Sequence, residues 1–212
     1  KIQRIGDESV DLSDFLPVSG RDQQEMQEEP QQLLVSLDDP WVEKLLRGFF
    51  DDPVFYKRYS QAPAAKAMHH VFLGGLLEHS LAVAALATDI SARYPQANRN
   101  LLIAGAMLHD VGKVAELSYD RSFNYTDEGK LLGHIMIGVQ LIDEQIRKID
   151  GFPPMLCTLL KHLLLSHHGQ YEFGSPKRPK TLEAVILNFI DDLDSKINGI
   201  HTHIDRQPDR ES

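Results

Sequence analysis

The sequence predicts an all-α domain, and three observations carry that reading. Apolar residues recur at three- and four-residue intervals through most of the chain after Leu33. Prolines and capping residues stand where such helices would start and stop, as at Asp39-Pro40 and Tyr94-Pro95. Period-two alternation, the mark of a half-buried strand, is missing except across the short Leu117–Tyr125 stretch.

Residues 1–35 are polar, acidic and interrupted by Pro17, Gly20 and Pro30, and the Gln23–Gln32 run reads as a solvated linker or an exposed helix. Beyond Leu33, the residues Leu34, Leu37, Trp41, Leu45, Leu46, Phe49 and Phe50 fall at helical intervals, with Pro40 as the first helical residue after Asp39. Pro63 to Met68 should open another helix. Gly74-Gly75 separates it from Leu76–Tyr94, which Pro95 stops. Asn100 is expected to cap Leu101–Leu108. Helices follow over Gly129–Ile149 and Pro153–Leu165. Gly169–Pro179 is a loop, and Thr181 caps a last helix through Ile197. There is no internal repeat.

At 212 residues the chain suits one good-sized domain plus an appendage. No apolar run reaches the roughly 18 residues that a membrane span needs, so no membrane partner is expected. The start, Lys1-Ile2-Gln3-Arg4, has neither Met nor an apolar signal core and is expected to follow a missing region. Cys157 is the single cysteine, which rules out an internal disulfide and a cysteine-based zinc site, and a cytoplasmic location is the default expectation. Charge is uneven: residues 1–55 hold 13 acids against 5 bases, and residues 56–212 hold 18 against 17. Neither part resembles a basic nucleic-acid surface on charge alone. All ten histidines lie between positions 69 and 203, within the nearly neutral part.

The central motif is His109-Asp110, where the apolar run Ala104 to Leu108 meets two adjacent metal-capable side chains, followed by Gly112 and Lys113. Imidazole with carboxylate suits a divalent transition metal, and a carboxylate can bridge two ions. In isolation the pair is weak, because His-Asp occurs by chance. Four other helices carry the same anomaly. His79 sits among Leu76, Leu77, Leu81 and Val83; His134 among Ile135, Ile137 and Val139; His167-His168 ends a run through Leu165; and Asp191-Asp192 interrupts Val185 to Ile190. Burying such groups is expensive unless they are paired or bound to metal, and one shared centre explains all of them.

The order His…His-Asp…His…His…Asp resembles the HD superfamily of metal-dependent phosphohydrolases. The strings His70 to Ser80, Glu116 to Asp120, Tyr125 to Gly129, Leu132-Gly133-His134, Ser166 to Gly169 and Ile190 to Lys196 are similar to its YhaM-type 3'→5' exoribonuclease branch. The resemblance spans roughly residues 35–200. It implies an HD-domain helical bundle over 36–200, preceded by an acidic linker (1–35) leaving a missing OB-type domain, with a polar tail over 201–212. It also implies His79, His109, Asp110 and Asp191 around one ion, with Asp110 facing both ions where two bind. His134 and His167 would hold the second, and His168 is a further ligand or a substrate contact. The cofactor it implies is one or two divalent ions, manganese first, with iron, nickel, cobalt or zinc as alternatives, and a metal-activated water would attack phosphorus.

Other assignments rest on position. Lys113 lies four residues past His109, about one turn on if the helix continues, and could neutralise substrate phosphate; Gly112 argues that the helix ends, leaving a surface lysine. His70 could reach phosphate or be a surface histidine. Asp194 could bond a ribose hydroxyl, orient a ligand or lie on a solvated face. Lys177 and Arg178, in the loop before Thr181, could attract a nucleic-acid backbone or be solvated. His162, His201 and His203 have no strong case. The expected activity is hydrolysis of RNA or short oligonucleotides from the 3' end. The alternatives are a phosphohydrolase of mono- or dinucleotides and a non-catalytic nucleotide sensor. A homo-oligomer would fit the apolar face of residues 33–50.

Overall fold

A computed structural model describes residues 19–65, 72–118 and 124–205, and within them the chain is almost wholly helical. The elements are α1 (Gln23–Val35), α2 (Pro40–Phe50), α3 (Pro53–Gln61), α4 (Gly75–Arg93), α5 (Arg99–Leu108), the one-turn α6 (Lys113–Glu116), α7 (Asp127–Ile146), α8 (Pro154–Ser166) and α9 (Leu182–Asp205). Between α6 and α7, β1 (Leu117–Ser118) pairs antiparallel with β2 (Asn124–Tyr125), which is the short extended stretch the sequence marks.

Capping chemistry sets most of the starts. Asp39 and Asp52 each accept from two backbone amides ahead of a first-turn proline. Thr181 Oγ1 accepts from the Ala184 amide at 3.2 Å, as expected. The cap of α5 is Asn98 rather than Asn100: its side chain accepts from the Leu101 amide at 3.0 Å, while Asn100 bonds across to Asp38. Two asparagines two positions apart offer equivalent local caps, and the contact with Asp38 decides between them. The Gln/Glu-rich run takes the helical alternative, with Met26, Pro30 and Leu34 buried. Ala62 to Ala65 is not helical, so the expected start at Pro63 does not form there; residues 66–68 lie outside the described residues.

Helix α5 is the centre of the fold. Every side chain from Leu101 to Leu108 is buried, against α4, α8 and α9, as expected of a helix apolar on all sides. Leu76, Leu77, Val83 and Ala84 of α4, Leu163 of α8 and Leu187 of α9 complete the same core. Each fully buried Leu or Ile contributes roughly 1.5–3 kcal/mol, so the core fixes where α5 ends. It ends at His109.

Candidate metal centre

Five helices deliver side chains to one point. His109 caps α5, with Asp110 next to it; His79 comes from the first turns of α4, His134 from α7, His167 from the end of α8 and Asp191 from the middle of α9. His79, His109, Asp110 and His167 are each at most 3% exposed.

The cluster has two halves that share one carboxylate. In the first, His79 Nε2 lies 3.1 Å from His109 Nε2 and 3.2 Å from Asp191 Oδ1, with His109 Nε2 3.7 Å from that oxygen. In the second, the His134 and His167 rings are 5.7 Å apart and His168 lies 5.2 and 4.2 Å from them, centre to centre. Asp110 stands between: Oδ2 is 3.4 Å from His109 Nε2, and Oδ1 is 3.4 Å from His134 Nε2 and 3.7 Å from His167 Nε2. Each half could hold a metal ion on three side chains.

The outer nitrogens are already engaged. The Nδ1 of His109 and of His167 donates to a carbonyl three residues back, Ala106 and Leu164. That of His168 donates to the Phe173 carbonyl, and that of His79 to Asp194 Oδ2 at 2.7 Å. His134 directs both its amide and its Nδ1 to Glu116 Oε1, at 2.9 and 3.2 Å. Such bonds fix the tautomer and leave Nε2 as the donor to a metal. Among the described residues, three buried atoms of these ligand candidates then lack any hydrogen-bond partner: Asp110 Oδ1, His134 Nε2 and His167 Nε2. Orphaned buried polar atoms are costly, and these three face one another. A divalent cation between them satisfies all three, and the mixed nitrogen and oxygen set fits a transition metal.

The electrostatics agree. Burial pushes the His79 imidazole down, but the carboxylates of Asp191 and Asp194 outweigh it and hold the ring protonated up to about 9. Burial would raise the Asp110 carboxyl, yet Lys113, His109 and His134 keep it well below its ordinary range. Asp191 is held low against burial by His109 and His79. Burial, with His168 and His109 nearby, drives His167 well below its usual value, so its imidazole is neutral with a lone pair available.

Helix α7 is bent to make this possible. Gly133, immediately before His134, has φ +73° and ψ 158° inside the helix, a region that essentially only glycine occupies. The break frees the His134 amide, and Glu116 caps it. Gly112 is the matching close approach: a Cβ there would sit 2.0 Å from the His134 carbonyl oxygen.

Among the sequence-based candidates, His79, His109, Asp110, His134, His167, His168 and Asp191 come together. Lys113 joins them although α5 has ended: it opens α6, and its Nζ lies 2.5 Å from Asp110 Oδ2. Asp194 stands behind His79, its Oδ2 2.7 Å from Nδ1. Lys177 and Arg178 are exposed in the α8–α9 loop, with Arg178 over the Tyr171 ring. His70 lies outside the described residues. Two contributors carried no assigned role. Glu116 could have been suspected as a carboxylate six residues past Asp110. Asn188, whose Nδ2 donates to the His167 carbonyl at 2.6 Å, gives no such signal.

Fold and cluster together define a helical domain built around a histidine–carboxylate metal cup. The HD domain family matches residues 76–196, which include every one of these ligand candidates, and the chain belongs to that family. It is 38% identical over 199 residues to the 3'-5' exoribonuclease YhaM of Geobacillus sp. (strain WCH70), covering 94% of this chain and 60% of that protein. It is likewise 39% identical to the protein of that name from Bacillus licheniformis and 38% to that of Bacillus subtilis (strain 168), covering 94% of this chain and 62% of each. The chain thus spans about three-fifths of the length of these relatives. No solved structure matches it.

Proposed function

We propose that the chain is the hydrolytic part of a metal-dependent 3'→5' exoribonuclease. The observation that carries this reading is the set of three orphaned buried atoms on Asp110, His134 and His167, and the activity named for the YhaM relatives supplies the substrate class. His79, His109, Asp191 and Asp110 Oδ2 would hold one ion; His134, His167, His168 and Asp110 Oδ1 would hold a second. Manganese is the ion to test first, with iron, nickel, cobalt or zinc as alternatives, since a mixed imidazole and carboxylate set accepts any of them. A bound divalent ion supplies Lewis acidity, which polarises a phosphoryl group and acidifies water.

The remaining work falls to the chain's own groups. Asp110 sets the two positions relative to each other through its two oxygens. Asp194 and Glu116 hold His79 and His134 in the tautomer that presents Nε2. Lys113 balances the Asp110 charge in the metal-free protein, and on substrate binding its ammonium meets a phosphate oxygen. The buried wall formed by α4 and α5 keeps bulk water from the inner half. A cytoplasmic location goes with this reading, supported by the single, unpaired Cys157; no described helix is long and apolar enough to cross a membrane. The division into 1–35, 36–200 and 201–212 is part of the same proposal.

The apolar face of residues 33–50 is taken up by the core, where Leu34, Leu45, Leu46, Phe49 and Phe50 are buried, so self-association is assigned to α9 instead. Leu182, Val185, Phe189, Leu193, Ile197, Ile200 and Ile204 are each 40–67% exposed along that helix. The stripe is nearly symmetric about Leu193: two antiparallel copies would set Phe189 against Ile197 and Leu182 against Ile204, with Val185 and Ile200 one position out of register, close to what a two-fold interface requires. About half the surface of seven large side chains is on the order of 600 Å², near the roughly 800 Å² per partner of a standard interface. Sedimentation velocity of wild type and Leu193→Glu checks this: a dimer dissociated by the variant is expected, and a monomeric wild type overturns it.

The test of function is metal content of the purified chain, with hydrolysis of RNA carrying its label at the 5' end, before and after Asp110→Ala. Bound transition metal, nucleoside monophosphates released stepwise from the 3' end and loss of both in the variant are expected. Metal without RNA hydrolysis, but with phosphate released from free nucleotides, would move the assignment to a nucleotide phosphohydrolase. No metal after reconstitution with manganese would leave only a nucleotide-sensing module.

A further inference from the structure

The loop between α8 and α9 has features that the metal cup does not use. Its single 3₁₀ turn, Tyr171–Phe173, presents two aromatic rings to solvent, 57% and 70% exposed. The loop is pinned rather than loose. Ser175 is buried, its Oγ bonds the Leu165 and Lys177 carbonyls at 3.1 and 2.8 Å, its amide bonds the Gln170 carbonyl, and the Lys177 amide returns to Leu165. The rings are therefore held outward by a fixed backbone. The Phe173 carbonyl, in turn, receives His168 Nδ1 at 2.9 Å, and the His168 ring abuts both His167 and His134. The aromatic turn is thus bonded directly to a side chain of the second metal position.

The charge around it opposes that of the chain as a whole. Net charge is −9, yet from Gln170 to Lys180 there are three bases, Lys177, Arg178 and Lys180, against Glu172 alone. The Arg178 guanidinium lies 5.0 Å over the Tyr171 ring, a cation–π arrangement that holds both groups at the surface. A shallow groove bounded by Lys161, Leu165, Lys177 and Lys180 leads away from the loop along α8. Exposed aromatics interleaved with cations are how single-stranded nucleic acids are held: bases stack on rings while cations track phosphates.

We propose that Tyr171, Phe173 and Arg178 form a base-stacking platform that receives an unpaired nucleobase of the substrate strand beside the metal cup. This rests on the nuclease reading above and specifies its substrate as single-stranded. A base in a duplex has its faces covered and cannot stack there, so the platform excludes paired ends. Lys177 and Arg178 contact the backbone of the same segment.

The experiment measures binding of a fluorescein-labelled, 2'-O-methyl phosphorothioate 12-mer, which resists hydrolysis, to the metal-loaded chain by anisotropy. Wild type is compared with Tyr171→Ala/Phe173→Ala, with Tyr171→Trp/Phe173→Trp, and with Lys177→Gln/Arg178→Gln. The alanine pair is expected to raise Kd roughly 5- to 150-fold for a single stacked base, with melting temperature and metal content unchanged, and the tryptophan pair should restore binding. The charge variant should lower the salt dependence by about one to two phosphate contacts, which the alanine pair should not do. Equal Kd for wild type and the alanine pair, or no binding by wild type, overturns the platform. Binding that needs the rings, without cleavage of unmodified RNA, leaves the platform and removes the exonuclease reading.

Discussion

Substituting Gly133 by alanine isolates backbone strain from packing. The φ and ψ of Gly133, +73° and 158°, lie where a side chain costs about 1–3 kcal/mol. Space is not the obstacle, because an added Cβ would meet nothing closer than Glu116 Oε1 at 3.9 Å. The cost is therefore strain alone, and in a domain of this size it should lower the melting temperature by about 2–12 °C. The chain can also escape by straightening α7, which would rotate His134 and pull its amide from Glu116. Calorimetry and metal analysis separate the two responses. Strain without rearrangement gives a lower melting temperature and full metal content; straightening gives a reduced metal content, because His134 leaves the cluster. Wild-type stability with full metal content would refute the assignment of the kink as a strained, site-forming device. Gly112→Ala serves as contrast, since its Cβ would lie 2.0 Å from backbone oxygen, and it should not yield folded protein.

Other consequences follow from the same geometry. Asp194→Asn weakens the acceptor behind His79 and should lower metal affinity about 10- to 100-fold, measured by chelator competition. His79 is held protonated up to about 9 against an ordinary 6.5. In the metal-free protein it therefore contributes stability that is complete below pH 6.5 and lost as pH rises through 9. The metal-free melting temperature should fall over that window, and titrating metal at pH 7.5 should release about one proton from this ring, seen by calorimetry in buffers of different ionisation enthalpy. Lys113→Met should keep the metal and lower kcat about 10²-fold, by loss of the cation near the phosphate; unchanged turnover would place that ammonium outside the reaction.

Much of the site was legible because its residues are anomalous where they stand. His109-Asp110 ends the most apolar helix, and His79, His167 and Asp191 interrupt core-facing runs, so burial alone implied a common centre. What the sequence concealed depends on approach between elements. Glu116 belongs to the site only because α6 lies against α7, and Asn188 only because α9 passes the end of α8. Gly133 looks like a mild helix weakness until its φ is known. Lys113 illustrates the reverse: the helix ends, as Gly112 suggests, but a new turn brings the ammonium back to Asp110. Asn98 displaced Asn100 as a cap because a distant residue, Asp38, claims the latter.

The Nδ1 bonds of His109 and His167 to carbonyls of their own helices bear on which ion the protein carries in a cell. Each ring is oriented by the secondary structure that presents it, so the cup acquires its shape when the helices pack, before any ion arrives. A cavity finished in advance is tuned to a size and a donor set, and first-row divalent ions share both closely enough to compete for it by intrinsic affinity, in which manganese ranks lowest. Occupancy is then decided by supply. The same polypeptide made in hosts of different metal economy should emerge with different ions in an unchanged frame, and the history of a preparation becomes a determinant of its rate.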